Sequence, residues 1–206
     1  MLDSGAYTAK NKNKNIDIDA LVKEIKEGGW HEAAALDVIG DPEASYKNAV
    51  YMREKGAKCF PTFHFGEPWD YLKTYAASFD KVGLGGLVPV KNSDDRDAWL
   101  GECFARIWPK KTHGFGVMGR ECLMTFPFHS VDSTSWEVGA LRFGQYRFMG
   151  AVNLGLNRPK ARAALKGKVA EDQIETYLRP EADHYLRLEQ EVQTRWRAEF
   201  QKQGWV

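Results

Sequence analysis

Residues Thr112 to Trp136 read THGFGVMGRECLMTFPFHSVDSTSW, and their punctuation decides the fold class. An extended pattern over His113 to Val117 gives way to a short helical pattern over Glu121 to Thr125. A second extended pattern follows over Phe128 to Val131 and ends on a carboxylate, Asp132. Strand, helix and strand in so short a run make a βαβ unit with parallel strands. In β/α barrels the C-terminal strand ends form the catalytic face, which makes Asp132 a candidate catalytic residue. The alternative is a helix N-cap, because Ser133-Thr134-Ser135 can open a helix. Position alone does not choose between the two.

Upstream, the same unit recurs. Leu21, Val22 and Ile25 mark one face of an amphipathic helix that Gly28-Gly29 closes. Ala33 to Ile39, AAALDVI, suits a strand buried on both faces and delivers Asp37. Asp41-Pro42-Glu43 opens a helix that runs to about Lys55. Strands are predicted over Cys59 to Phe65 and Lys81 to Val88, with helices over Pro68 to Ala77 and Asp94 to Trp108. Met1 to Tyr7 reads as a strand end with almost no strand before it, and Lys10 to Asn15 as a polar loop. The class is therefore α/β with a parallel sheet, and periodicity does not distinguish a barrel from an open sheet.

Composition sets the outer bounds. The chain has 206 residues, 43% hydrophobic and 28% charged, an ordinary globular balance. That length suits one sizeable core or a short barrel, since barrels typically run to about 250 residues. Three cysteines, Cys59, Cys103 and Cys122, are odd in number and widely spaced, which fits buried thiols in a reducing cytoplasm. No CxxC pair points to zinc, so neither metal nor cofactor is expected. No apolar run reaches membrane-spanning length, and no signal-peptide pattern opens the chain.

Net charge is +1, but its distribution is uneven. Val138 to Ala170 carries Arg142, Arg147, Arg158, Lys160, Arg162, Lys166 and Lys168 without a single acidic residue, interleaved with Phe143, Tyr146 and Phe148. Such a segment suits phosphate contacts with aromatic stacking; the alternative is a solvated basic loop against acidic neighbours. Glu171 to Phe200 reads as a helix, or a pair broken near Pro180, with Tyr185, Leu188, Val192 and Trp196 on one face. The expected division is a β/α core over 1–137, a barrel if the resemblance below holds, and, over 138–206, a basic segment with terminal helices packing on it.

Four segments resemble, in order, the motifs of the tRNA-guanine transglycosylase family and its phage relatives that place 7-deazaguanines in DNA. Asp3-Ser4-Gly5-Ala6-Tyr7 is similar to the family's DSGGF, and Ala35-Leu36-Asp37 to its ALD. Gly85-Gly86-Leu87 is similar to its GGL loop, and Val131-Asp132-Ser133 falls where its nucleophilic aspartate sits. HGFG at His113 to Gly116 and VDSTSW at Val131 to Trp136 look closer to the phage branch. The resemblance covers roughly Leu2 to Trp136.

The resemblance implies a TIM (β/α)8-like barrel, here without its first strands. It also implies a pentosyltransferase that exchanges guanine for a free 7-deazaguanine base in a polynucleotide, with DNA preferred over tRNA. Asp132 would attack C1′ and Asp3 would handle the proton, as the carboxylate pair of retaining glycosidases does. Asp37 would accept from the N1–H and 2-amino edge of the base. Gly85 and Gly86 would bring backbone N–H groups to the base carbonyl, and Tyr7 would stack, beside Ser4 and Gly5. Helix capping for Asp37 and a tight turn for the glycine pair remain open alternatives. His64, His113 and His129 read as core or lining residues, and Glu67 as a weaker substrate contact. Two departures stand out: no cysteine follows Val138, so the zinc module of the tRNA enzymes has no counterpart, and the chain opens at the DSG motif. Either the start is truncated, or a partial barrel is completed by an oligomer, a partner chain or the basic segment. Competing readings are a non-catalytic nucleic-acid or base-binding relative and a hydrolase of small nucleosides.

Overall fold

A computed structural model describes residues 1–11, 15–117, 119–133, 145–148, 152–155 and 171–205, with backbone alone for 8, 10, 11, 145–148, 152–155 and 171–181. The chain forms two compact units, Met1–Phe115 with Phe128–Val131, and Gly116–Pro127 with Asp132–Val206.

In the first unit the strands lie in chain order. Leu2 makes a parallel bridge to Ala33. Next to it run β1 (Ala33–Ala34) and β2 (Cys59–Phe60), paired in parallel. Then come β3 (Thr62–His64), β4 (Lys81–Gly85) and β5 (Lys111–Phe115), with β6 (Ser130–Asp132) beside β5. β2 and β3 are one strand interrupted at Pro61, which has no N–H to give the ladder. Its carbonyl still accepts from Gly83 N at 2.8 Å, so the sheet bends without losing β4. Several strands stop short of the sequence expectation. Gly86 (φ 73) ends β4 and Gly116 (φ 70) ends β5, both in a backbone conformation that only glycine adopts cheaply.

The intervening helices start where their caps dictate. Asp17 accepts from Asp19 N and Ala20 N at the head of α2 (Ile18–Glu27). Asp41 accepts from Ala44 N at 2.9 Å at the head of α3 (Pro42–Glu54), where proline fits because the first N–H needs no partner. Pro68 precedes α4 (Trp69–Ser78), and Asn92 caps α5 (Ser93–Ile107). Val22 and Ile25 of α2, Ala49 and Met52 of α3, and Ala33 and Ala35 at β1 form one buried cluster with Ala57 and Phe79. Phe63 stacks on Trp99 at 5.7 Å, so α5 closes over β3 with aromatic area. Lys10 and Asn11, expected in a polar loop over Lys10 to Asn15, are instead the last residues of α1 (Ala6–Asn11), and 12–14 lie outside the described residues.

The second unit contains α6 (Arg120–Thr125), an antiparallel pair of β7 (Gln145–Phe148) and β8 (Val152–Gly155), and α7 (Glu171–Lys202). The expected break at Pro180 does not occur: α7 is continuous through it. A single proline removes one backbone bond, and the helix carries on around it. Leu188, Trp196 and Phe200 form its buried stripe, and Trp196 Nε1 donates to Leu123 O at 2.9 Å, tying α7 to α6.

Candidate functional site

The site is assembled at the carboxyl ends of the first unit's strands. Beyond β1, Ala35 N still bonds Phe60 O, and the chain then leaves the sheet. Asn48 Nδ2 donates to Leu36 O at 3.0 Å, and Val38 N donates to Ser45 Oγ at 2.8 Å. Both contacts nail the loop to α3. Asp41 does the capping, so Asp37 is released from that duty and the capping alternative falls. Asp37 instead accepts from Ser4 Oγ at 3.2 Å on Oδ1 and meets His64 Nε2 at 2.9 Å on Oδ2.

His64 is the last residue of β3, and its other ring nitrogen lies 3.3 Å from Glu67 Oε1. Glu67 Oε2 accepts from His64 N at 3.0 Å, which fixes the carboxylate against the backbone as well. The three side chains are only 13% (His64), 12% (Asp37) and 7% (Glu67) exposed, so the charges interact with little screening by water. Burial alone would drive the imidazolium to lose its proton. The hydrogen bonds and charges of Asp37 and Glu67 outweigh it and push the His64 pKa up to about 9. At neutral pH the cluster is therefore an imidazolium between two carboxylates.

Asp3 and Ser4 sit on the Leu2 stub. Asp3 Oδ1 accepts from Gly5 N at 3.2 Å, and Ser4 Oγ from Ala6 N at 3.4 Å, a turn into α1 in which Gly5 takes φ 75. Ser4 is buried and Tyr7 is 61% exposed, so Tyr7 presents its ring to solvent. The structure also gives Gly86 a packing role. A Cβ there would stand 2.9 Å from Phe65 N and 3.2 Å from His64 Cβ, so the glycine is what lets β4 end against His64. Gly85 is tighter than it looks in sequence too, with Thr62 Cγ2 3.0 Å from where its Cβ would be.

Ser4, Asp37, His64 and Glu67 are thus one connected group, drawn from three strand ends. No protein-family model matches the chain, and no curated protein is similar enough to match it. In the second unit, Asp132 closes β6 and its Oδ1 accepts from Gly116 N at 3.0 Å, in the turn after β5. That bond orients the carboxylate; the helix of the capping alternative, from Thr134 on, lies outside the described residues.

Other residues have different work. His113 is buried in β5, with Nδ1 2.9 Å from Ser130 Oγ and its ring against Phe60 and Phe115. His129 is held below its ordinary pKa, to about 4, by burial and then by Lys81 and Lys111. Lys81 is buried at the opening end of β4, where it pairs with Glu32 and lies 5.3 Å from the Phe60 ring. Arg142, Arg158, Lys160 and Arg162 lie outside the described residues, and Arg147 stands in β7 opposite Asn153. Among the described residues no group of three or more His, Cys, Asp and Glu side chains is arranged to hold a metal ion.

Sequence reasoning undervalued His64. Its partner Asp37 is 27 positions away, so no local pattern announces the contact. The only signal was the spacing to Glu67, three residues on, just past a strand end.

Proposed function

We propose that the chain is a base-exchange glycosyltransferase that replaces guanine by a 7-deazaguanine in a polynucleotide, with DNA preferred over tRNA. The observation that carries the reading is the placement of the four resembling motifs. Ser4, Asp37 and Gly85 stand at or just past the carboxyl ends of parallel strands of the first unit, Asp132 closes β6, and Ser4 and Asp37 from two motifs share a hydrogen bond. The strands run in chain order through two sheets, β1-β2 with the Leu2 bridge and then β3 to β6, without the reversal that marks an open doubly wound sheet. That order favours a (β/α)8-like barrel.

In this reading Asp132 attacks C1′ of the nucleotide and displaces guanine, which takes a proton from Asp3, forming an aspartyl-glycosyl bond. Asp3 accepts the N9 proton of the incoming base as that base attacks the same carbon, and the configuration is retained. Asp37 recognises the amide edge. Its oxygens are engaged by Ser4 and His64, so an entering base exchanges one set of donors for another and the carboxylate stays satisfied. That prior occupancy is also the observation that favours the second reading, a base-binding protein without turnover.

The test is incorporation of labelled guanine into single- and double-stranded DNA and into tRNA by the purified chain. Exchange into DNA above exchange into tRNA supports the proposal. Tight base binding with no exchange into any polynucleotide favours the second reading. Release of guanine from free deoxyguanosine at the same rate as from DNA overturns the polynucleotide assignment.

A further inference from the structure

In the second unit, α6 and α7 enclose a groove of about 540 Å³ whose wall includes Arg120, Arg187 and Arg195, with Met124 as its apolar lining. One carboxylate lies among them: Glu191 accepts from Arg120 Nε at 2.9 Å and is one helical turn from both Arg187 and Arg195. Over residues 182–202, α7 carries four acidic and four basic side chains, and over its whole length, Glu171–Lys202, eight acidic against five basic. The groove is not neutral, because three arginines face it against Glu191 alone. Each guanidinium is steadied. Arg120 is held by Glu191, Arg187 Nε donates to Asp183 O at 3.2 Å, and Arg195 lies 4.3 Å over the Trp196 ring. Trp196 is itself buried and bonded to Leu123 O.

We infer that this groove binds the phosphodiester backbone of a single-stranded polynucleotide. Guanidinium groups grip phosphate through paired N–H donors, and holding them in place in advance lowers the ordering cost of doing so. A groove with an apolar thioether beside the arginines accepts sugar edges as well as phosphates. The choice of nucleic acid as occupant rests on the base-exchange reading above; the excess of positive charge does not. Glu191 acts as an internal competitor that an entering phosphate displaces from Arg120.

The experiment is anisotropy of a fluorescein-labelled single-stranded oligodeoxynucleotide, titrated with the full chain across a salt series. Variants are the triple Arg120→Gln/Arg187→Gln/Arg195→Gln, the matching triple to Lys, and Glu191→Gln. Each single-strand phosphate contact adds about 0.7 to the slope of log affinity against log salt. Losing three contacts should flatten the slope by about 2 and weaken binding roughly a hundredfold at 0.1 M salt. The lysine triple should keep the slope, and Glu191→Gln should bind more tightly, the reverse of what a merely structural glutamate would do. An unchanged slope in the glutamine triple overturns the inference. So does displacement of the oligonucleotide by poly-aspartate at equal charge concentration, which would mark a dock for acidic protein. Base exchange is measured alongside: groove binding without any exchange removes the function proposed above, and exchange with an indifferent groove removes this inference.

Discussion

Raising the pH from 6.5 to 9 is expected to destabilise the first unit through one side chain, His64. Its imidazolium is held by Asp37 and Glu67 up to about pH 9, whereas the ordinary ring gives up its proton near 6.5. Over that interval the folded chain binds one more proton than the unfolded chain, so linkage makes stability fall as pH rises. The contribution is complete below 6.5 and is gone once the pH passes 9. At about 1.36 kcal/mol per pKa unit, the rise from 6.5 to about 9 amounts to roughly 3 kcal/mol. Buried thiols do not confuse the window: Cys59, pushed up to about 11 by burial, adds a loss only above the ordinary thiol value of 9. The assay is urea unfolding at pH steps, for the native chain and for His64→Gln. The native chain should lose about 3 kcal/mol between pH 6.5 and 9, and the variant should be flat over the same range. A native chain equally stable at both ends, or a variant that declines in parallel, would refute the reasoning.

Four further outcomes follow from named contacts. On the acid side the sign reverses for His129. Burial, then Lys81 and Lys111, keep it neutral down to about 4, so stability is complete above 6.5 and is lost as pH falls to 4; His129→Asn should remove that loss. Gly86→Ala forces a Cβ within 2.9 Å of Phe65 N at φ 73, and should cost at least about 2 kcal/mol by urea unfolding while lowering the His64 pKa seen by NMR. Lys81→Met strands Glu32 beside an apolar side chain and should cost on the order of 3 kcal/mol at pH 7, recovered in part by Glu32→Gln in the double mutant. Trp196→Phe keeps an aromatic ring but removes the indole N–H bonded to Leu123 O and leaves space behind it, and should cost at least about 1 kcal/mol and speed hydrogen exchange in α6 and α7.

The elements that carry strong local signals were legible in the sequence. Asp41-Pro42 opens α3 in sequence and structure alike because a cap acts within three residues of itself, whereas the caps of α2 and α5, Asp17 and Asn92, were not read as such. The existence of the first unit's strands was readable too, but not their order in the sheet, their length, or the pair β7 and β8 inside the basic segment. The pattern Lys81 to Val88 continues in apolar residues after Gly86 has already turned the chain, and apolarity does not report φ. Pro61 interrupts an otherwise good strand, a visible signal, while Pro180 looked like a helix breaker and is tolerated within α7. At the site, Asp37 was found by motif and Ser4 beside it, yet the imidazolium that fixes Asp37 was ranked low. Long-range pairing of His64 with Asp37 depends on the parallel neighbour relation of two strands, which no window of sequence contains. The arginines of the groove escaped for a similar reason. Arg120 sits on α6, and Arg187 and Arg195 sit on a helix that carries eight acidic side chains against five basic ones, so composition hides the face they share.

The central claim, covalent base exchange through Asp132, is tested most directly by intact-protein mass spectrometry. The chain is incubated with a guanine-containing DNA oligonucleotide and denatured before measurement. The account predicts an adduct of protein plus oligonucleotide less guanine, removed by adding excess free base, and absent from folded Asp132→Asn because a carboxamide is a very poor nucleophile. An adduct of the same size on Asp132→Asn, or base exchange that proceeds at the native rate in that variant, would contradict it.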